Sequence, residues 1–162
     1  MKIVLGSDHA GFRVRQNLAR LLQSMGHEVR QLGAIDENAY DYPNASDSVA
    51  GEILSGNAQM GILVCGTGIG VSIRANRHRG IRAAVCCSPT MARLAREHNH
   101  ANVLCMGARI VSESQAQEIA RAFLEEAESQ ESRHVKRVEL LDSGGHRNGE
   151  ERNATGRAEG EC

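Results

Sequence analysis

Short apolar runs alternate along the chain with longer stretches whose apolar residues fall three or four positions apart. The runs are "KIVLGS", "HEVRQLG", "MGILVCG", "RAAVCC" and "ANVLCMG". Apart from the weaker second one, they are continuous rather than alternating, as in strands covered on both faces. From Ala10 to Met25, the residues Val14, Leu18, Leu21, Leu22 and Met25 mark one helix face. "NASDSVAGEILSG" has capping residues near its start and Gly56 past its end. "SPTMARLAREHN" opens on Ser88 and Pro89, a good helix start. "SESQAQEIARAFLEEA" carries the capping pattern Ser112-x-x-Gln115 and an apolar face of Ala116, Ile119, Ala120, Phe123 and Leu124. A last helix is predicted over about Ser132 to Leu141.

Five strand–helix units in series predict an α/β fold: a five-stranded parallel sheet between two helical layers. Residues 1–142 form one domain on this reading. The polar stretch 143–162 has no large aliphatic or aromatic residue and is expected to stay disordered. In such sheets ligands bind beyond the carboxyl ends of the strands. That directs attention to Ser7, Asp8 and His9, to Cys65–Gly70, to Cys87 and Ser88, and to Gly107 and Arg109.

Composition narrows the function classes. The chain has 162 residues, 41% hydrophobic and 24% charged, with a net charge of -1. Near-neutrality argues against a dedicated nucleic-acid or membrane binder. Aromatics at 2% leave little for stacking bases. No apolar run approaches the roughly 18 residues of a membrane span, and the N-terminal run is too short for a secretory signal. The five cysteines are odd in number and form no CxxC pair, which fits a reducing, cytoplasmic compartment. Cys162 is incidental on this reading.

The loop after the third run, "CGTGIGVSIRAN", places Gly66, Gly68 and Gly70 around Thr67 and Ile69. It is either a tight strand-to-helix turn or a cradle of converging N–H groups for an anion. It is not a dinucleotide fingerprint, because the spacing is GxGxG, the strand is not the first, and no acid follows about 20 residues on. No Asp or Glu occurs between Glu52 and Glu97, whereas Arg74, Arg77, Arg79, Arg82, Arg93, Arg96 and His78 do. This basic stretch is a solvated face, a subunit contact, or a field favouring an anionic ligand.

Cys65 ends a buried run and precedes the loop. It is either a core thiol or one whose thiolate is favoured by nearby cations and the helix start. Asp8 beside His9 can orient the imidazole or cap a helix. His98 and His100 are two apart, so on a helix they diverge and make a poor metal pair. Arg133 and Arg137 lie one helical turn apart, able to clamp a phosphate or simply to be solvated.

Taken in order, "GSDHAGF", "DYP", "CGTGIGVSIRAN", "GIRAA", "AREHNHANVLCMGAR" and "RHVKR" resemble the type B ribose-5-phosphate isomerase family, which includes the galactose-6-phosphate isomerase subunits. The matches run from about residue 3 to 140. The resemblance implies a Rossmann-like three-layer sandwich, working as a homodimer or dimer of dimers with shared sites. It implies interconversion of ribose 5-phosphate and ribulose 5-phosphate through an enediolate, with no metal or organic cofactor. Cys65 matches the base, and His98 the proton donor that opens the sugar ring, with Asp8 assisting. Gly66, Thr67, Gly68, Ile69 and Gly70 match the loop that holds the enediolate oxygen, with Thr67 counted among the catalytic groups. Asn99 matches a sugar-hydroxyl ligand, and Tyr42 a residue near the sugar. His9, Arg109, Arg133 and Arg137 match phosphate ligands, some reaching across the dimer, and His134 is a further candidate there. In another branch a Ser replaces the Cys and a downstream Glu is the base; here that stretch offers Arg74 and no carboxylate. Arg74 and the tail beyond Ser143 are departures from the family pattern.

Two other functions are compatible with the residues. One is isomerisation of a six-carbon 6-phosphate such as allose or galactose 6-phosphate. The other is a non-enzymatic phosphate- or nucleotide-binding module, disfavoured by the absence of a ribose-binding acid.

Overall fold

The structure, a computed structural model, describes residues 1–143; the predicted disorder of the tail and the reading of Cys162 lie outside these residues. The strands are β1 (Lys2–Ser7), β2 (Glu28–Gly33), β3 (Met60–Cys65), β4 (Ala83–Val85) and β5 (Val103–Gly107). The helices are α1 (Phe12–Ser24), α2 (Tyr42–Leu54), α3 (Ile69–Ala75), α4 (Pro89–Asn99), α5 (Glu113–Glu125) and α6 (Ser132–Asp142). All strand pairs are parallel, in the order β2-β1-β3-β5-β4. The order reverses between β1 and β3, where open sheets of this kind hold their ligands.

The two-residue period of the strands divides the core. Ile3, Leu5, Ile62, Val64, Leu104 and Met106 face one side, where they meet Leu18 and Leu22 of α1 and Ile119 and Phe123 of α5. Val4, Leu63, Cys65, Val103 and Cys105 face the other, against Val49 of α2 and Val71 of α3. Each large side chain so buried stabilises the fold by about 1.5–3 kcal/mol. β3 and β5, in the interior of the sheet, are therefore apolar at every position, as their sequence predicts.

Helix boundaries follow local chemistry. The Ser88 side chain accepts a hydrogen bond from Met91 N–H, capping α4. At α5 the Ser112/Gln115 capping box is complete. α2 starts at Tyr42 rather than Asn44, because Pro43 fits the first turn of a helix. β4 is shorter than its apolar run. The Asn76 amide bonds both Ala83 N–H and Ala83 C=O at 2.8 Å, closing part of the sheet edge as a neighbouring strand would.

One side chain crucial to the frame was not foreseen. Arg15 of α1 is buried and donates from Nη2 to Ala34 C=O at 2.7 Å and from Nη1 to Leu32 C=O, tying α1 to the end of β2. Burial lowers its pKa from the usual arginine value.

Candidate active site

The carboxyl ends of β1, β3 and β5 bring several candidate residues together. Cys65 closes β3 with its neighbour Gly107 closing β5. Its sulfur accepts a hydrogen bond from Gly68 N–H at 3.1 Å. The thiol is thus buried at 4% exposure among the core residues of that face, with its sulfur bonded to the glycine loop.

The loop is held tightly. Gly68 has φ +79°, and a Cβ there would come within 2.9 Å of the Met106 carbonyl carbon, so only glycine fits without strain. Ala108 N–H donates to Cys65 C=O at 2.8 Å, and Arg109 N–H to Gly66 C=O at 3.0 Å. These bonds fix the loop to the turn after β5. The Arg109 guanidinium lies over Gly66, and the Tyr42 ring packs against Gly70. Thr67 and Ile69 are exposed on the rim. Ser46, fully buried, donates to Tyr42 C=O at 3.1 Å and Val71 C=O at 3.2 Å, joining α2 to α3.

At the end of β1, the buried Asp8 carboxylate accepts from Gly11 N–H at 2.9 Å. It therefore stabilises the turn into α1, whichever other part it plays. His9 is exposed, and its Nδ1 lies 3.3 Å from Tyr40 N–H. The same nitrogen lies 3.4 Å from Tyr40 C=O, so the ring's tautomer decides which of the two groups it bonds.

A second cluster lies elsewhere. α4 runs antiparallel to the strands, so His98 and Asn99, in its last turn, reach the amino edge of the sheet. Asn102, three residues on, accepts at its C=O from Gly61 N–H near the start of β3. Gly61 and Cys65 are about 13 Å apart along the strand at roughly 3.3 Å per residue. His98 of this chain therefore cannot touch a sugar held at its own Cys65. Its ring instead stacks on His134 of α6, with centroids 4.2 Å apart and planes 7° from parallel. Arg133 and Arg137 are exposed on the same helix, and Arg133 Nε meets Glu131 at 2.6 Å. His100 has no share in either cluster: it is buried, caps α4 at φ 47°, and its Nε2 lies 2.9 Å from Ser129 C=O. Among the described residues no group of three or more His, Cys, Asp or Glu side chains converges as metal ligands would.

The basic stretch is less one-sided in space than in sequence. Asp47 of α2 takes Arg74 at 2.7 and 2.8 Å and His78 at 2.7 Å. Arg82 pairs with Asp142 at 2.8 Å, and the buried Arg96 with Glu128 at 2.9 Å. The Arg74 guanidinium draws the Asp47 carboxyl down to about 2, with His78 adding to the effect. Carboxylates from distant segments thus answer three of the arginines. A cavity of about 840 Å³ lies along β4, lined by Asn76, Arg77, Arg79, Arg82, Asn99 and Leu141 among others. It touches the amino-edge cluster and not Cys65.

Burial pushes Cys86 up to about 11, and Cys105 well above the ordinary thiol value. Cys87 is exposed beside Met91.

Comparison with known proteins adds the lineage. The family described as Ribose/Galactose Isomerase matches residues 3–141. Ribose-5-phosphate isomerase B of Escherichia coli is 41% identical over 140 residues, 86% of this chain and 93% of the relative. The solved structure of Clostridium thermocellum ribose-5-phosphate isomerase B superposes with a TM-score of 0.86 at 43% identity, covering 88% of this chain and 96% of that one. The type B ribose 5-phosphate isomerase of Trypanosoma brucei superposes with a TM-score of 0.85 at 40% identity, covering 88% and 97%.

Proposed function

The chain belongs to the ribose/galactose isomerase family, and from that premise we infer that it interconverts ribose 5-phosphate and ribulose 5-phosphate. The observation that carries the reading is the Cys65 sulfur facing the Gly68 amide at 3.1 Å. A base beside a set of fixed N–H groups is what proton abstraction next to a carbonyl requires.

With the sugar open, Cys65 as thiolate takes the proton from C2. The C–H electron pair becomes the C1–C2 double bond, and the carbonyl pair moves onto O1. The N–H groups of Gly66–Gly70 receive that negative charge as it forms, which costs no reorganisation because the loop is already bonded in place. The thiol then returns its proton to C1, and the O2 proton passes to O1. Thr67, on the rim, supplies a hydroxyl for that exchange.

The phosphate binds away from the reacting carbons and lends binding energy to orientation. His9 and Arg109 supply its ligands at the carboxyl edge. His98, Asn99, Arg133 and Arg137 lie at the amino edge, so they act on a site of a second copy. The opposite placement of the two clusters is the argument for a homodimer whose chains complete each other's sites. In it, His98 delivers a proton to the ring oxygen and Asn99 binds a sugar hydroxyl. Free thiols on the described residues fit a reducing compartment such as the cytoplasm.

The test is turnover by the purified chain on ribose 5-phosphate and on allose and galactose 6-phosphates. Preference for the pentose, abolished in Cys65→Ala with phosphosugar binding kept, is the expected result. A six-carbon preference would shift the substrate, and full activity of Cys65→Ala would remove the base.

A further inference from the structure

His134 is 4% exposed, although it sits between two exposed arginines of α6. Its Nδ1 is buried without a hydrogen-bond partner. A buried polar atom without a partner destabilises the fold, so the ring is kept for something other than a bond at that nitrogen. What it does make is the flat stack on His98. We propose that His134 is a positioning residue for ring opening: its imidazole fixes the plane in which His98 meets a sugar bound at the partner subunit's loop. This rests on the isomerase reading above.

The geometry selects stacking over proton relay. Ring nitrogens carry their hydrogens and lone pairs in the ring plane, so two parallel rings cannot bond nitrogen to nitrogen. The stack leaves the in-plane edge of His98 clear to meet the sugar. Rotation of His98 about its own side chain would forfeit the contact. Its other neighbour is Glu97, 3.5 Å from Nε2 and on the same helix. From α6, Arg133 and Arg137 add positive charge and Glu131 negative charge around His134. Burial first, then His98 and the arginines, lower the His134 pKa, which disfavours the charged form of its ring.

The chemistry of the two sugars provides a readout that a general loss of structure would not move. Ribose 5-phosphate is closed by O4 on C1 and must be opened. Ribulose 5-phosphate cannot close on its C2 carbonyl, because the O5 it would need carries the phosphate. Its C1 proton can exchange with solvent deuterium through the enediolate with no ring step. Comparing that exchange with conversion of ribose 5-phosphate in His134→Leu, His134→Gln and His134→Phe therefore separates proton transfer from ring opening. The two ring-free variants should lose about 10²-fold in kcat/KM for ribose 5-phosphate, while deuterium exchange into ribulose 5-phosphate stays within about threefold. His134→Phe, which keeps a flat ring where no nitrogen bond is lost, should stay within about threefold on both. Equal loss of conversion and of exchange would overturn the proposal, as would an unchanged ribose 5-phosphate rate in either ring-free variant. A raised KM for both sugars would make His134 a phosphate ligand instead, and failure of Phe to rescue would assign the role to a nitrogen. A wild-type chain inactive on both sugars would overturn the isomerase reading itself, and this inference with it.

Discussion

Cys65 differs from its neighbouring thiols by where its sulfur points. Cys86 and Cys105 are buried in apolar surroundings that hold them protonated. Cys65 is equally buried but spends its sulfur on an amide of the loop. General base catalysis typically contributes about 10²–10⁴-fold, so Cys65→Ala should lose at least that factor in kcat. Cys87→Ser, at an exposed thiol away from the loop, should keep wild-type kcat and KM. Steady-state kinetics on the two variants checks both. Cys65 was legible because the sequence puts it at the end of an apolar run, before three glycines. His134 was read only as a further phosphate candidate. Its burial is written in the sequence as a helical stripe with Val138, which the flanking arginines obscured.

At the level of elements, the tie between α2 and α3 is the feature with the most consequence. Asp47 clamps Arg74 and His78, at the far end of the helix that follows the loop. The Asp47 carboxyl is held at about 2, below its ordinary 3.8. A depressed carboxylate stabilises the fold above its unfolded pKa and loses that contribution as pH falls through the folded one. Asp47→Asn should therefore be less stable than wild type at pH 7, by under about 1 kcal/mol for so exposed a pair. The difference should shrink as pH falls from about 4 to about 2. Urea unfolding across that range measures it. On the opposite face, Phe123→Ala should cost about 3–5 kcal/mol and lower the urea midpoint with activity per folded molecule retained. Every strand and most helices were legible, since buried parallel strands and amphipathic helices each leave their own period. The Asp47 clamp was not. A run without acids looks uniformly basic until folding brings in carboxylates from Asp47, Glu128 and Asp142, which local sequence does not show.

In the proposed reaction the whole molecule carries two half-sites. The parallel sheet puts Cys65 and its glycine loop at one edge, and the antiparallel return of α4 carries His98 to the other. No rearrangement of side chains spans a strand length of about 13 Å. The proposed symmetric pair would resolve this, because a two-fold axis gives each site one edge from each chain. The most direct test mixes two inactive variants, Cys65→Ala and His98→Asn, after denaturation and joint refolding. Half of randomly paired dimers contain one of each, and each such dimer has one site with both residues intact, so about a quarter of wild-type activity should return. Continued inactivity of the mixture, with mixed dimers demonstrably formed, would contradict the shared site and the proton-transfer scheme built on it.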